Sequence, residues 1–177
     1  MDPLISVDRA RQAINRTTWP TGEISRVTTL VGVVSQAAEL WCRRKFARAT
    51  HDLVLPFWGN PLWLPNGPIH SVTTLIDVTT NQPIPFELIA SLGQICLNRC
   101  GGCSESENTD SREKKHFPVR IVYEGGFDPI PDDIQEAIAI WVAAAYWQTK
   151  QDPSLAPGSP PPAAASFLLP YRRTILT

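Results

Sequence analysis

The sequence carries no excess of charge of either sign. Among its 177 residues, 16 lysines and arginines stand against 17 aspartates and glutamates, which leaves a formal net charge of −1. This balance gives no support to a basic nucleic-acid-binding module. The chain also has no apolar run near the roughly 20 residues that cross a bilayer, and its N-terminal stretch MDPLISVDRARQ lacks the cationic-then-apolar pattern of a signal peptide. We therefore expect a soluble protein that is made in a cytoplasm and has no membrane partner.

Short catalytic motifs are missing as well. The sequence contains no GxSxG, P-loop, GxGxxG or HExxH pattern. His51, His70 and His116 lie in strand or loop contexts with no serine, cysteine or carboxylate at a spacing that indicates catalysis. The pair Asp132 and Asp133 is better explained by the start of a helix, where the helix dipole favours negative charge. The sequence therefore predicts neither an enzyme nor a cofactor.

Cysteine is scarce and is not arranged as a secreted disulfide framework, since three of the four cysteines are clustered and one is isolated. The cluster CLNRCGGC contains Cys96, Cys100 and Cys103, and His116 follows it. Two thiolates separated by two residues can meet one zinc ion, and the other two side chains can complete a Cys₃His set. The alternative is reduced thiols without a metal, because Cys96 lies in a strand pattern where any apolar residue would serve. We assign no metal site on this pattern alone.

The clearest local signal is a strand, a glycine turn and a long helix near the middle of the second half of the chain. Apolar residues alternate over residues 119–123, which predicts a strand. Gly125 and Gly126 then supply the positive φ angles of a turn. Pro131 suits the first helical position, where its missing N–H is not needed. The helix is expected to run to about Lys150, a length of roughly 30 Å at 1.5 Å per residue.

This long helix presents a broad, alanine-rich apolar face. Its apolar residues recur at helical spacing from Ile134 to Ala145, and polar residues are left for the other side. Such a face predicts close packing on a sheet, on other helices and on neighbouring subunits. The residues assigned to that subunit interface are Trp141, Ala144, Ala145 and Tyr146.

Two further helices are predicted near the N-terminus. Residues 6–14 form the first, with Ser6 as its cap, and residues 23–46 form the second, with Thr21 as its cap. Cations gather at the C-terminal end of the second helix, where the helix dipole favours positive charge. A contact with the acidic face of a partner or with DNA is the alternative role of these cations, which are Arg43, Arg44, Lys45 and Arg48.

The middle of the chain is rich in β-branched residues and turn signals. It predicts about five strands, which short turns make mostly antiparallel. The segments with strand character are 50–57, 60–65, 69–79, 86–90, 94–98 and 119–123. Residues 99–118 form a polar loop that we expect to be mobile or ordered by a partner. The predicted fold class is α+β: two N-terminal helices, a small mostly antiparallel sheet, a long C-terminal helix and an extended proline-rich tail.

A proline-rich segment follows Gln151 and divides the chain into a domain of residues 1–151 and a tail of residues 152–177. The stretch DPSLAPGSPPPAAASF has no means of forming a packed core and predicts an extended linker. The stretch FLLPYRRTIL, residues 167–176, is apolar again and carries two arginines. It either folds back over the apolar surface of its own domain or acts as an arm that docks on another chain. The docking residues would be Phe167, Leu168, Leu169, Tyr171, Arg172, Arg173 and Ile175.

Several short motifs occur in a fixed order along this chain. VRIVYEGGF spans residues 119–127, and IPDDI spans residues 130–134 just before the alanine-rich helix. LWLP at residues 62–65 is followed by PIHSV at residues 68–72, and LPYRR at residues 169–173 lies in the tail. This combination resembles the head–tail connector proteins of tailed phages, also called adaptor or head-completion proteins.

The resemblance covers roughly residues 6–151 and implies an assembly protein. Connector proteins form a ring, usually of twelve subunits, beneath the portal at one capsid vertex. There they extend the DNA channel and present a surface to a head–tail stopper or another tail-side neck protein. Their C-terminal segment engages the portal, which here implies residues 167–176. The resemblance thus implies a location in the virion neck after assembly in the host cytoplasm, with viral DNA passing through the lumen without sequence readout.

A small zinc-binding or nucleic-acid-interacting regulatory protein is the alternative function. Its ligands would be Cys96, Cys100, Cys103 and His116. Because a structural zinc site contributes directly to folding, a stoichiometric metal and loss of folding with a chelator would favour this alternative.

Overall fold

The computed structural model describes residues 3–57, 61–90, 93–97, 117–152 and 158–173. The chain is divided into two units. The helical unit comprises Met1–Phe46 and Pro129–Thr177, and the sheet unit comprises Ala47–Asp128. The division therefore differs from the boundary expected after residue 151, because the described part of the tail packs within the helical unit.

The helical unit is built, in its described residues, from four α-helices and one 3₁₀ turn. The helices are α1 (Val7–Ile14), α2 (Thr21–Cys42), α3 (Asp132–Gln151) and α4 (Pro162–Leu168), and the 3₁₀ turn is Leu169–Tyr171. The predicted cap of α1 is confirmed, since the Ser6 hydroxyl accepts a hydrogen bond from the backbone N–H of Arg9 at 3.2 Å. The order of two N-terminal helices and one long later helix is confirmed as well.

The predicted ends of α2 are wrong at both termini. Thr21 is the first residue of the helix rather than its cap, and Pro20 takes the capping position. The helix ends at Cys42 instead of Phe46 because Arg43 adopts a left-handed conformation with φ 56°. A residue in this conformation turns the chain so that following N–H groups can bond the last helical carbonyls, which ends the helix.

The core of the helical unit lies where α1, α2 and α3 pack together. Apolar residues at helical spacing point inward from each of these helices, as the sequence pattern predicts. The buried set is Ala10, Ile14, Val27, Leu30, Val31, Val34, Ala38, Ile134, Ala137, Ile138, Trp141, Val142 and Ala145. No helix in the described part of the chain is long and apolar enough to cross a membrane.

Helix α4 corrects the prediction of a fully extended linker. Pro161 and Pro162 precede a run of three alanines, and α4 starts at Pro162. Proline is well tolerated at the first helical position and alanine has the highest helix propensity, so the same residues that indicated a linker can begin a helix. Ala164 and Leu168, four residues apart, are both fully buried. The described tail is therefore a packed helix and not a tether.

The sheet unit contains two antiparallel sheets instead of the single sheet expected. The strands within the described residues are β1 (Ala49–Phe57), β2 (Leu62–Trp63), β3 (Ile69–Asp77), β4 (Gln82–Pro83), β5 (Phe86–Ile89), β6 (Gln94–Leu97) and β7 (Phe117–Gly125). One sheet has the order β1-β7-β3-β4 and the other the order β2-β6-β5. Every pairing between these strands is antiparallel, as predicted. The expected loop at residues 99–118 lies outside the described residues, apart from its last two, which begin β7.

One hydrophobic core serves both sheets. The alternation predicted for β7 is confirmed, because Val119, Ile121 and Tyr123 are fully buried while Arg120 is exposed. These residues pack with apolar side chains from the other strands. The remaining buried members of the cluster are Leu62, Leu64, Ile69, Leu75, Ile84 and Ile95.

Candidate interaction surface

The described C-terminal segment, residues 158–173, packs on α3 through α4 and meets the end of α2 at Cys42. Leu168 is 0% exposed. Its carbonyl oxygen accepts a hydrogen bond from the Cys42 thiol at 3.7 Å. Five residues later, the backbone N–H of Arg173 donates to the Cys42 carbonyl oxygen at 3.0 Å. The segment thus follows the C-terminal end of α2 over two separate contacts.

Tyr171 fixes the same segment to the start of α3. Its hydroxyl donates to Asp133 Oδ2 at 2.6 Å, and its ring meets Phe46 edge to face with 6.1 Å between centroids. Burial, together with the hydrogen bond to Asp133, raises the pKa of Tyr171 to about 12. The phenol therefore remains a hydrogen-bond donor throughout the physiological pH range. Asp133 also accepts from the N–H of Ile134 at 2.9 Å, which agrees with its predicted role at a helix start.

The residues assigned to docking from the sequence divide into two groups. Leu168 is part of the core, and Tyr171 is half-buried and bonded to its own chain. Phe167 is 40% exposed and Leu169 is 61% exposed, and both arginines that follow are exposed. Ile175 lies outside the described residues. Of the two alternatives for the tail, folding back on its own domain is the one found for residues 162–173, and only part of the segment remains available to another chain.

Cations gather where the segment meets α2. The Arg172 guanidinium lies over the Trp41 ring, 4.7 Å from its centroid. On the α2 side, Lys45 pairs with Glu39 at 2.6 Å and Arg44 lies 5.8 Å from the Phe46 ring centroid. We call this surface the basic patch; its members are Arg43, Arg44, Lys45, Arg172 and Arg173. Arg48, which the sequence grouped with these cations, instead pairs with Glu124 at 2.9 Å inside the sheet unit.

Cys42 lies beneath the basic patch but has no features of a reactive thiol. Its side chain is fully buried. Burial raises the pKa of Cys42 to about 11, against the smaller opposing effect of Arg44 and Arg172. A thiol with this pKa stays protonated near neutral pH, and the thiolate is the form that acts as a nucleophile. Cys42 is therefore a packing residue.

Three of the four residues assigned to a subunit interface on α3 are core residues of their own chain. Trp141, Ala145 and Tyr146 are each at most 3% exposed, and Ala144 is half-buried. These side chains leave almost no surface for another subunit. The sequence pattern located the apolar face of α3 correctly, and residues of the same chain cover most of it. Trp147, which the sequence did not single out, is 48% exposed and is the aromatic residue that α3 presents outward.

Tyr146 is the centre of a polar cluster. Arg16 Nη1 donates to the Tyr146 hydroxyl at 2.7 Å, and that hydroxyl donates to Glu23 Oε2 at 2.7 Å. Lys150 approaches Glu23 at 3.5 Å. The hydrogen bond from Tyr146, aided by the charges of Lys150 and Arg16, lowers the pKa of Glu23 below its ordinary value. The cluster ties the start of α2 to the last turns of α3.

Replacing Glu23 with glutamine is expected to change how stability depends on acidic pH. Because the pKa of Glu23 is lower in the folded chain than in the unfolded chain, its stabilising contribution is present above about pH 4.5 and is lost as the pH falls through the folded value. The wild type should therefore be more stable than Glu23→Gln at pH 7, and this advantage should shrink by pH 3. Urea unfolding midpoints of both proteins at the two pH values test this. A stability difference independent of pH would contradict the role of Glu23. Tyr146→Phe should weaken the same pH dependence.

The proposed zinc ligands are only partly within the described residues. Cys96 is buried on β6, as expected for a residue that fills an apolar position, while Cys100, Cys103 and His116 lie outside the description. Within the residues that are described, no group of three or more His, Cys, Asp or Glu side chains is arranged to hold a metal ion. His70 bonds the Gly126 carbonyl at 2.8 Å. The described residues therefore bring together no metal site and no catalytic set.

The exposed residues of the C-terminal segment include large apolar side chains and arginines. Such surfaces are typical of proteins that act by docking. Comparison with known proteins narrows this class. No family model and no curated protein matches the chain.

Three solved structures contain similar chains. In the neck of an empty GTA particle computed with C6 symmetry, the identity is 18% and the TM-score 0.64, over 98% of this chain and 92% of that one. In the virion of a native gene transfer agent (GTA) particle, the identity is 19% and the TM-score 0.61, over 98% and 91%. In the neck of a native GTA particle computed with C12 symmetry, the identity is 17% and the TM-score 0.55, over 99% and 96%. The protein thus has the fold of a chain found in phage-like particle necks, which confirms the sequence resemblance at the level of the fold.

Proposed function

We propose that this protein is a structural component of a phage-type neck, in which copies form a ring that joins the portal to the next tail-side neck protein and extends the DNA channel. The main support is a fold match that spans nearly the whole of this chain and of each neck chain compared with it. One of those necks was computed with C12 symmetry. Ring formation, location in the virion neck and passage of DNA without sequence readout are parts of the same proposal.

The exposed residues of the C-terminal segment are the proposed portal contact. Phe167 and Leu169 offer apolar surface beside Arg172 and Arg173, and arginine with large apolar residues is a common composition of interface hot spots. Ile175 stays in this proposal as a residue of the same tail. For contacts between subunits, Trp147 and Val33 replace the buried residues of α3, because both are large, apolar and at least 41% exposed.

The solution mass of the purified protein, alone and mixed with the portal protein of the same virus, tests this proposal. A ring, or a monomer that joins the portal in a fixed ratio, is expected. Metal content is measured on the same samples, because stoichiometric zinc bound by Cys96, Cys100, Cys103 and His116 would favour the regulatory alternative. A metal-bearing monomer that ignores the portal would overturn the neck function.

The double variant Phe167→Ala, Leu169→Ala is expected to bind the portal at least about tenfold more weakly than the wild type. Both side chains are exposed, so their truncation removes contact area without opening a cavity, and the unfolding midpoint should stay unchanged. Affinity is measured by surface plasmon resonance on immobilised portal. Val54→Ala, an equally conservative change at a residue 59% exposed in the sheet unit, serves as the control. Equal binding by the double variant and the control would exclude these residues from the contact.

A further inference from the structure

We infer that the basic patch, together with Leu40 and Leu169, is a docking surface for a protein partner that presents carboxylates around an apolar side chain. This inference rests on the proposed function in one respect, which is that the partner is another protein of the neck. It goes beyond that function because it adds α2 to the surface and specifies the chemistry of the partner. The tail alone does not form this surface.

Folding brings the two halves of the patch together. Arg43, Arg44 and Lys45 lie more than 120 positions before Arg172 and Arg173 in the sequence. The hydrogen bond from the Arg173 N–H to the Cys42 carbonyl places the second group directly beside the end of α2. Because Leu168 is buried and Tyr171 is bonded to Asp133, the segment is anchored just before these two arginines, and the Arg173 N–H adds a further contact. The surface is therefore composite and preorganised, which lowers the entropic cost of binding.

Three of the five cations of the patch have no carboxylate partner among the described residues, whereas Lys45 pairs with Glu39. Arg9, Arg11, Arg16, Arg48 and Arg120 each form an ion pair with an aspartate or glutamate. Across the described residues, by contrast, no carboxylate pairs with any of three patch members, which are Arg43, Arg172 and Arg173. A local excess of positive charge in a chain with a formal net charge of −1 is complementary to carboxylates on a partner.

The apolar residues beside the patch favour a protein over a nucleic acid. Leu40 is 78% exposed and Leu169 is 61% exposed, more than any other large apolar residue among those described. In the sequence, Leu40 directly precedes Trp41, which Arg172 contacts. Leu169 directly follows Leu168, whose carbonyl oxygen accepts from the Cys42 thiol. Nucleic-acid surfaces use cations with stacking aromatic rings, but the Trp41 ring is already covered by Arg172. Exposed leucine offers apolar contact to another protein, and arginine is enriched at protein interfaces.

Neutralising two patch arginines tests the inference. Arg43→Asn keeps a residue that tolerates the left-handed conformation at the end of α2, and Arg173→Gln leaves its backbone hydrogen bond intact. The probes are the portal protein and the tail-side neck protein of the same virus, and a short double-stranded DNA. Binding is measured at about 0.05 M and about 0.3 M salt, since salt screens exposed charges. A Thr17→Glu, Thr18→Glu variant makes the same change in net charge at exposed positions outside the patch and serves as the control.

The arginine double variant is expected to lose about tenfold or more in affinity for the protein that the wild type binds, mainly at low salt, while the control stays within about twofold. Leu40→Ser should weaken the same complex at both salt concentrations, because it removes apolar contact rather than charge. If the wild type binds a neck protein and the arginine and leucine variants bind it equally well, this inference is overturned while the proposed function stands. Tighter binding of DNA than of either protein, lost in the arginine variant, would overturn it in favour of a nucleic-acid surface. A wild type that binds neither protein would overturn the proposed function as well.

Discussion

Replacing Leu168 with alanine is expected to lower the free energy of unfolding by about 2–5 kcal/mol, as for other leucines truncated in a packed core. Leu168 is 0% exposed, so its truncation leaves a cavity in the core of the helical unit. Urea unfolding followed by circular dichroism at the helix signal measures the effect. The neighbouring change Leu169→Ala is the matched control, because that side chain is 61% exposed and should alter stability by less than about 0.5 kcal/mol.

Equal stability of the Leu168→Ala and Leu169→Ala proteins would show that the C-terminal segment does not stay folded back in solution.

The expected result also changes how the tail should be tested. Deletion of residues 167–177 would leave the domain folded and abolish portal binding only if the tail were a free arm. Because Leu168 lies in the core, that deletion also exposes apolar surface. A loss of portal binding would then not distinguish a lost contact from a lost fold. Single substitutions at exposed positions of the segment separate the two effects.

Replacing Gly126 with alanine is the second change with a large expected effect, about 2–5 kcal/mol in the free energy of unfolding. Gly126 has φ 114°, a conformation that side chains strain, and an added β-carbon would come within 2.5 Å of the Ala47 carbonyl oxygen. That oxygen belongs to the backbone and cannot rotate away. The Gly126 N–H also donates to the Pro68 carbonyl at 3.0 Å, so the residue cannot shift freely.

Gly32→Ala is the control for this substitution. Gly32 lies inside α2, and no atom outside its own stretch of helix backbone is within 4 Å of the position that its β-carbon would take. Alanine there should stabilise the protein by about 0.5–1 kcal/mol, because glycine is costly in a helix interior. Similar stability of Gly126→Ala and the wild type would mean that the backbone at the end of β7 relaxes more easily than its contacts indicate. The sequence predicted a turn at two glycines, but only Gly126 supplies a positive φ angle, and Gly125 remains in the strand.

The partner proposals depend on the same structural feature as the first prediction. Because the tail is folded back, it presents Leu169, Arg172 and Arg173 as parts of a surface shared with α2. A free arm would gain affinity only by ordering itself on its partner, at an entropic cost. A prearranged surface avoids that cost, so substitutions in α2 and in the tail should weaken the same complex. The arginine pair at residues 43 and 173 tests both halves together.

The sequence by itself determined the elements whose signals are local. Ser6 caps α1, apolar residues alternate along β7, and the face of α3 that is buried is the face predicted. In each case the controlling effect lies within a few residues: a capping hydrogen bond, a strand period of two or a helical period of 3.6. The resemblance to connector proteins followed from the order of such elements.

Only the tertiary structure decided which surfaces meet. An apolar pattern indicates that a face is buried but not which element buries it. The free energy of burial depends on the apolar area removed from water, whichever element covers that area. For this reason the sequence pattern alone does not show that the chain itself buries Trp141, Tyr146 and Leu168. The basic patch has the same origin. Its cations are distant in sequence, and packing of the C-terminal segment on α2 is what makes them one surface.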